Sequence, residues 1–552
     1  MKPVIYQLLP RLFGNRCLKN KRNGTIAENG CGKFCNITSE ILNKISQLGF
    51  SHVWYTGIIR HATTTDYTAF NIPKQHNYIV KGKAGSPYAI ADYYDVDPDL
   101  AIDIEKRMDE FEALVERTHQ AGLKVIIDFV PNHVAREYKS ICKPSETPDL
   151  GENDNRQLAF SPNNNFYYIP NEHFSPKFDI GDYKEIPAIA TGNDCFSAHP
   201  SKNDWYETIK LNYGFDYLTS DWRREHFYPT PPTWFRMLEI LHFWCSKGID
   251  GLRCDMAEMV PVAFWQWAIE KLKKEFPNII FIGELYQPNL YRQFIDAGFD
   301  WIYDKVGMYD CLRGVMTGCC KASEITHQWQ NVDDIHNHML YFLENHDEQR
   351  IASDFFAADG KQGIPAMIII STMRNNPVMI YAGQEFGERG MDKEGFSRLD
   401  GRTTIFDYWI LKTLLYGFSD RRKLPLSSRQ LYKKYEQILR IATKEKAVTN
   451  GLFFDLMYVN PQLHDKQFAF IRKYENEMLL IAVNFDCTTV DTNIYIPQHA
   501  FEYLHIEDRR LTGVNLMNNQ ERNELIKADC PIRLTIAPHD GCIIKYIFND
   551  KL

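Results

Sequence analysis

Four acidic residues stand within or just after short apolar runs. Asp128 lies in Val125-Ile126-Ile127-Asp128-Phe129-Val130, Asp255 follows Gly251-Leu252-Arg253-Cys254, Glu284 follows Ile282-Gly283, and Asp347 follows Phe342-Leu343-Glu344-Asn345-His346. His133, Arg253 and His346 lie beside them in the chain. Carboxylates next to a cation or an imidazole suit nucleophilic attack and general acid–base work. Taken singly, each acid could equally cap a helix or sit in a loop. Taken together they read as one site, because Arg253 precedes Asp255 by two residues and shares its strand face.

Such a site needs a fold that gathers strand ends. Apolar, β-like runs alternate with helical patterns over the first ~420 residues. Strands are expected near residues 5, 53, 127, 253, 281, 302, 342 and 380. Helices are expected at 39–48, with Ser39 as N-cap, and at 104–121, 233–246, 263–276 and 364–373. Eight strands with intervening helices predict a parallel (β/α)₈ TIM barrel, whose catalytic groups lie at the C-terminal strand ends. Residues 135–220 break the alternation with Asn, Pro, Asp and aromatics, and a structureless loop of that length is improbable in a compact domain. The expected partition is therefore a barrel over 1–134 and 216–445, an inserted domain over 135–215, and a C-terminal antiparallel β-sandwich over 446–552. Its first hairpin is expected where 467–472 and 478–485 flank a turn.

The chain of 552 residues is 44% hydrophobic and 24% charged, which excludes collagen-like, disordered and coiled-coil classes. A formal charge of −8 argues against a nucleic-acid partner. No apolar run approaches the ~20 residues of a membrane span. The start, Met1-Lys2-Pro3-Val4-Ile5-Tyr6, shows no signal-peptide pattern, and thirteen cysteines favour a reducing compartment, so a cytoplasmic location is expected. Cys31 and Cys35 lack a matching second pair, so zinc is not expected. Aromatics reach 13%, which serves either core packing or the apolar faces of a ligand.

Four motifs carry a family resemblance: Asp128-Phe129-Val130-Pro131-Asn132-His133, Gly251-Leu252-Arg253-Cys254-Asp255, Ile282-Gly283-Glu284, and Phe342-Leu343-Glu344-Asn345-His346-Asp347. In this order and spacing the chain resembles the α-amylase superfamily, glycoside hydrolase family 13. That resemblance implies Asp255 as nucleophile, Glu284 as general acid/base and Asp347 as the acid that holds sugar hydroxyls and stabilises the transition state. It implies His133 and His346 as hydroxyl ligands, and Tyr88, in Gly85-Ser86-Pro87-Tyr88, as the ring stacking on the sugar. Arg253 should keep Asp255 ionised; Glu284, with no adjacent cation in the sequence, should hold its proton more easily. Asp128 is expected to position Arg253. Glu385, in Gly383-Gln384-Glu385-Phe386-Gly387, is expected to be structural. Arg350 could brace its loop or be solvated.

Specificity rests on smaller signs. Thr208-Ile209-Lys210-Leu211-Asn212 resembles a motif of neopullulanases and cyclomaltodextrinases, although its first two residues differ. Glu258-Met259 stands where many α-amylases carry Lys-His, which removes a cationic sugar contact. The implied partner is an α-glucan or malto-oligosaccharide, cleaved mainly at α-1,4 and in some relatives at α-1,6 bonds. A transglycosylase or phosphate-dependent transferase with the same three acids is the first alternative, and a non-catalytic carbohydrate-binding relative the second. No cofactor is required by this chemistry. Asn132 and Asn212 match positions that hold a structural calcium in many members, and the loop 15–36 sits where some relatives hold another, with Glu28 its one acid. Oligomeric state is left open.

Overall fold

Strands buried on both faces must be apolar on both, and eight short runs of this chain are. In the computed structural model, which describes residues 2–219, 223–390, 396 and 399–548, they form one closed parallel barrel. The strands are β1 (Val4–Leu8), β2 (His52–Tyr55), β3 (Lys124–Phe129), β4 (Gly251–Cys254), β5 (Ile280–Gly283), β6 (Trp301–Tyr303), β7 (Met339–Phe342) and β8 (Val378–Tyr381). Each pairs with its sequence neighbour, and β8 closes on β1. Side chains alternate as the pleat requires. Ile5, Trp54, Ile126, Ile282, Leu340 and Met379 fill the barrel interior, while Val4, Tyr6, Val53, Val125 and Ile127 join the larger core outside.

Register then decides which chemistry-bearing residues meet. Arg253 on β4 stands opposite Asp128 on β3 and Ile282 on β5. Two residues past Ile282, just beyond the end of β5, lies Glu284, so Arg253 has acids on both sides. All eight expected strands are present, with ends shifted by one or two residues. The helices are Ser39–Gln47, Arg107–Gln120 after a 3₁₀ turn at Ile104–Lys106, Pro232–Ser246, Val262–Glu275 and Ile364–Thr372. Ser39 is not the cap of the first. Thr38 is extended and its side chain accepts from the Ile41 amide, whereas Ser39 already lies inside the helix.

Two excursions rise from the C-terminal rim. Between β2 and β3, Ile59–His61 pairs antiparallel with Ile90–Val96, and Tyr88 lies just before the second strand. Sequence alternation does not reveal that pair, because Tyr93, Tyr94 and their neighbours are buried on both faces. Between β3 and β4, His133–Ala135 pairs with Thr208–Lys210 and Tyr168–Ile169 with Ala188–Ile189. Its clusters are aromatic, built on Tyr167, Phe174, Tyr206, Phe215 and Tyr217.

The C-terminal sandwich has a six-stranded antiparallel sheet and a two-stranded partner, Val490–Ile494 with Ile532–Ile536. Its hairpin joins Gln467–Tyr474 to Glu477–Asn484, with Tyr474 opposite Glu477. Residues 549–552 of the expected range lie outside the described residues. Helix Ile364–Thr372 is buried along its whole length. A Cβ at Gly541 would stand 2.8 Å from Ile368 Cδ1, so glycine allows the sheet to reach the helix. Among the described residues no helix is long and apolar enough to cross a membrane.

Arg472 ties the sandwich to the barrel. Its guanidinium is buried and donates to the carbonyls of Met373, Ala447, Val448 and Gly451. Burial, with Arg374 nearby, pushes it down to about 9. Arg472→Met fills the space but leaves those carbonyls unpaired. It is expected to destabilise the protein by about 3 kcal/mol, read as a lower urea midpoint.

Candidate active site

Arg253 points into the barrel and is fully buried. A guanidinium removed from water must be paired on every side. Its Nη1 lies 2.9 Å from Asp255 Oδ1 and 3.3 Å from Asp128 Oδ1, and its Nη2 lies 2.7 Å from Glu284 Oε2. The rings of Trp54, Tyr88 and Tyr303 stand 5.3, 5.4 and 5.5 Å from its central carbon, within cation–π range. Asp128 is fixed in turn by Trp54 Nε1 at 3.0 Å and the Tyr88 hydroxyl at 3.3 Å. This matches the positioning role expected of Asp128.

Two expectations about charge are corrected. Glu284 does not lack a cation, because the fold brings Arg253 against it from the neighbouring strand. Nor does Arg253 hold Asp255 low. Burial and the Glu284 carboxylate push Asp255 well above the usual carboxylate range, with Arg253 opposing them. One guanidinium thus serves three buried carboxylates.

The backbone after Asp255 completes the Glu284 environment. Met256 takes φ +43°, the left-handed region that a side-chain-bearing residue enters only under constraint. Its amide donates to Glu284 Oε2 at 2.8 Å. The Tyr286 hydroxyl lies 2.7 Å from Glu284 Oε1.

Asp347 is the most open of the three acids, with 42% of its side chain exposed. Enclosure acts to raise it, but the His346 imidazole, 3.0 Å away, and the charges of Arg253 and Arg402 hold it down at about 2. His346 Nδ1 meets the Gln7 amide at 2.7 Å, and its Nε2 also meets the Tyr88 hydroxyl at 2.5 Å. Tyr88 stacks on the His346 ring at 5.2 Å. The structure thus gathers Asp255, Glu284, Asp347, Tyr88, Arg253 and His346 on one surface.

His133 is buried, packs on Trp205 and is pushed down to about 3 by burial and the nearby Lys210, so it stays neutral. The residues considered for calcium do not fit one. Asn132 Oδ1 accepts from Lys210 Nζ at 2.7 Å, and the same ammonium lies 2.6 Å from Asp194 Oδ1. Asn212 Oδ1 accepts from the Gly214 amide at 2.8 Å. The two asparagine oxygens thus face different donors, and a protein cation already holds the Asn132 side. In the loop 15–36, Glu28 is paired with Lys21. Among the described residues, Asp92, Asp95 and Cys142 form a cluster of metal-ligand type, but Arg60 and Arg107 stand on its two carboxylates.

Glu385 is structural, buried and bonded to the Tyr6 hydroxyl at 2.6 Å and the Gly383 amide at 2.9 Å. Arg350 braces its loop. It is buried, 2.8 Å from both Glu344 Oε2 and Thr403 Oγ1. Residues the sequence reading passed over are Gln7, Trp54, Tyr286, Tyr303 and Lys210. Lys210 sits inside the Thr208–Asn212 motif and Tyr286 two residues past Glu284, but nothing local marks Gln7, Trp54 or Tyr303.

A closed barrel with clustered carboxylates at its C-terminal rim is the arrangement of a barrel enzyme with an acid–base site. The chain belongs to the α-amylase family: residues 7–409 match the model of the α-amylase catalytic domain. It is an α-amylase-family glycoside hydrolase. It is 24% identical to α-amylase 3 of Dictyoglomus thermophilum over 388 residues, covering 66% of this chain and 68% of that one. It is 20% identical to neopullulanase 2 of Thermoactinomyces vulgaris over 564 residues, 98% of this chain and 77% of that one. The crystal structure of a noncanonic maltogenic α-amylase, AmyB from Thermotoga neapolitana, superposes with a TM-score of 0.64 at 18% identity, covering 99% of each chain.

Lys210→Met removes the buried cation and leaves Asn132 Oδ1 and Asp194 unpaired. The expected loss is about 2 kcal/mol, seen as a lower thermal midpoint. Chelation of divalent ions is expected to leave the wild-type midpoint unchanged.

Proposed function

We propose that this enzyme hydrolyses α-glucosidic bonds of α-glucans or short malto-oligosaccharides with retention of configuration. The observation that carries the reading is one buried guanidinium touching both Asp255 and Glu284. That arrangement supports a close pair, as in retaining enzymes, where the carboxyls stand about 5–5.5 Å apart with no room for an intervening water.

In this reading the Asp255 carboxylate attacks C1 while Glu284 protonates the leaving oxygen. The glycosyl ester on Asp255 is then opened by water, which gives its proton to Glu284. Arg253 offsets the negative charge at both carboxylates through the cycle. Asp347, held ionised by His346, binds sugar hydroxyls and stabilises the positive charge that develops at C1. Tyr88, stacked on His346, covers an apolar sugar face, and His346 together with the neutral His133 binds hydroxyls.

Similarity to neopullulanase 2 over nearly the whole chain supports an α-glucan substrate. Glu258, which stands where many α-amylases place a cation, supports substrates of small size. Linkage is proposed as mainly α-1,4. No metal enters the mechanism, since Lys210 and the arginines supply the cations.

Digestion of maltotriose separates hydrolysis from transfer. Glucose and maltose alone are expected; longer products would indicate that a sugar rather than water opens the glycosyl ester. Proton NMR of fresh product should show the α-anomer first, and a β-anomer first would sink the retaining mechanism. Asp255→Ala is expected to lose activity by about 10⁴-fold or more with the fold intact.

A further inference from the structure

The two oxygens of Glu284 have different surroundings. Oε2 accepts the Met256 amide at 2.8 Å and lies 2.7 Å from Arg253 Nη2. Neither group can accept a hydrogen bond, so a proton on Oε2 would face a donor and a cation. Among the described residues Oε1 has one protein partner, the Tyr286 hydroxyl at 2.7 Å. A hydroxyl can donate or accept. It donates to Oε1 when Glu284 is ionised, and it accepts from Oε1–H when Glu284 is protonated and no leaving oxygen is there to take that bond.

Tyr286 is itself held. Its backbone amide donates to Glu258 Oε2 at 2.9 Å, and the Gln287 amide reaches the same oxygen at 3.1 Å. Glu258 lies on the 3₁₀ turn Ala257–Met259 that follows the proposed nucleophile. The Ala257 amide bonds the Glu284 carbonyl at 3.1 Å, so the segments after β4 and β5 are tied together. Burial, with the charges of Glu284 and Asp347, pushes the Tyr286 phenol up, which keeps it a neutral hydroxyl.

We infer that Tyr286 is a positioning residue that presents the acid proton of Glu284 from Oε1 to the leaving oxygen, held in place by Glu258. The inference rests on the acid/base role proposed for Glu284. In the first step the Oε1–H bond breaks and an O–H bond forms on the leaving oxygen, as C1 passes from that oxygen to Asp255. The Tyr286 hydroxyl then turns to donate to the new carboxylate. In the second step water returns a proton to Oε1 and its oxygen takes C1 from Asp255.

Tyr286→Phe tests this with two substrates that differ in their need for acid help. With maltotriose, whose leaving group is a sugar alkoxide, kcat is expected to fall about tenfold or more. With 4-nitrophenyl α-maltoside, whose phenolate leaves unaided, formation of the glycosyl ester should change less than about twofold. The alkaline limb of the maltotriose pH–rate profile should move up, because the lost donor stabilised the carboxylate. Equal losses on both substrates, no loss on either, or an unmoved alkaline limb would each overturn the inference. Glu258→Ala, which frees the same segment without touching the carboxylate, is expected to give the same substrate contrast and keeps the inference testable if phenylalanine is not tolerated. Asp255→Ala separates the two readings. If it keeps activity the proposed mechanism falls, whatever Tyr286→Phe does.

Discussion

The Arg253 guanidinium is the constraint on which the centre of this protein depends. Taking such a group out of water costs several kcal/mol, and only close, complete pairing offsets it. Asp128, Asp255 and Glu284 supply the charge, and Trp54, Tyr88 and Tyr303 the ring faces. These partners come from β2, β3, β4, β5, β6 and the excursion before β3. Closing the barrel therefore assembles the site, and loss of the site charges would strain the barrel. Three acids on one cation also leave excess negative charge in a buried place. Burial pushes Asp128 up as well as Asp255. Burial thus favours the protonated forms of these two acids while Arg253 opposes it.

A second buried cation works at the rim. Lys210 joins Asn132, at the barrel end of β3, to Asp194 in the insert. Burial, with Lys210 beside it, keeps His133 neutral. An ammonium on a four-carbon stem is a compact charge with three donors. It meets several oxygens at once, as a bound metal ion does, but arrives with the chain. The insert is therefore held by pairing of His133–Ala135 with Thr208–Lys210 and by the side chain at the end of the second strand.

The fold was legible because its period is simple. Eight apolar runs separated by amphipathic helices leave few alternatives, and each run appears as a barrel strand. The paired strands Ile59–His61 and Ile90–Val96 were not legible, since burial on both faces erases alternation. Within the site, the acids and histidines were visible because each lies in a local motif in or just after a barrel strand. Gln7, Trp54 and Tyr303 were not, because as isolated letters they look like ordinary core. Only their strand register turns them toward His346, Asp128 and Arg253.

The sequence by itself determined the strand count, the helix spacing, the family and the identity of the acids, because these depend on residue type and on separations of a few positions. The tertiary structure decided which charges share a guanidinium. Arg253 lies two residues from Asp255 but 31 from Glu284 and 125 from Asp128, and chain distance says nothing about the β3–β4–β5 register that brings them together. It decided too that Lys210 turns toward Asn132 and Asp194. Proton affinities and cation sites depend on distances of a few ångströms between strands, and only the closed barrel sets those.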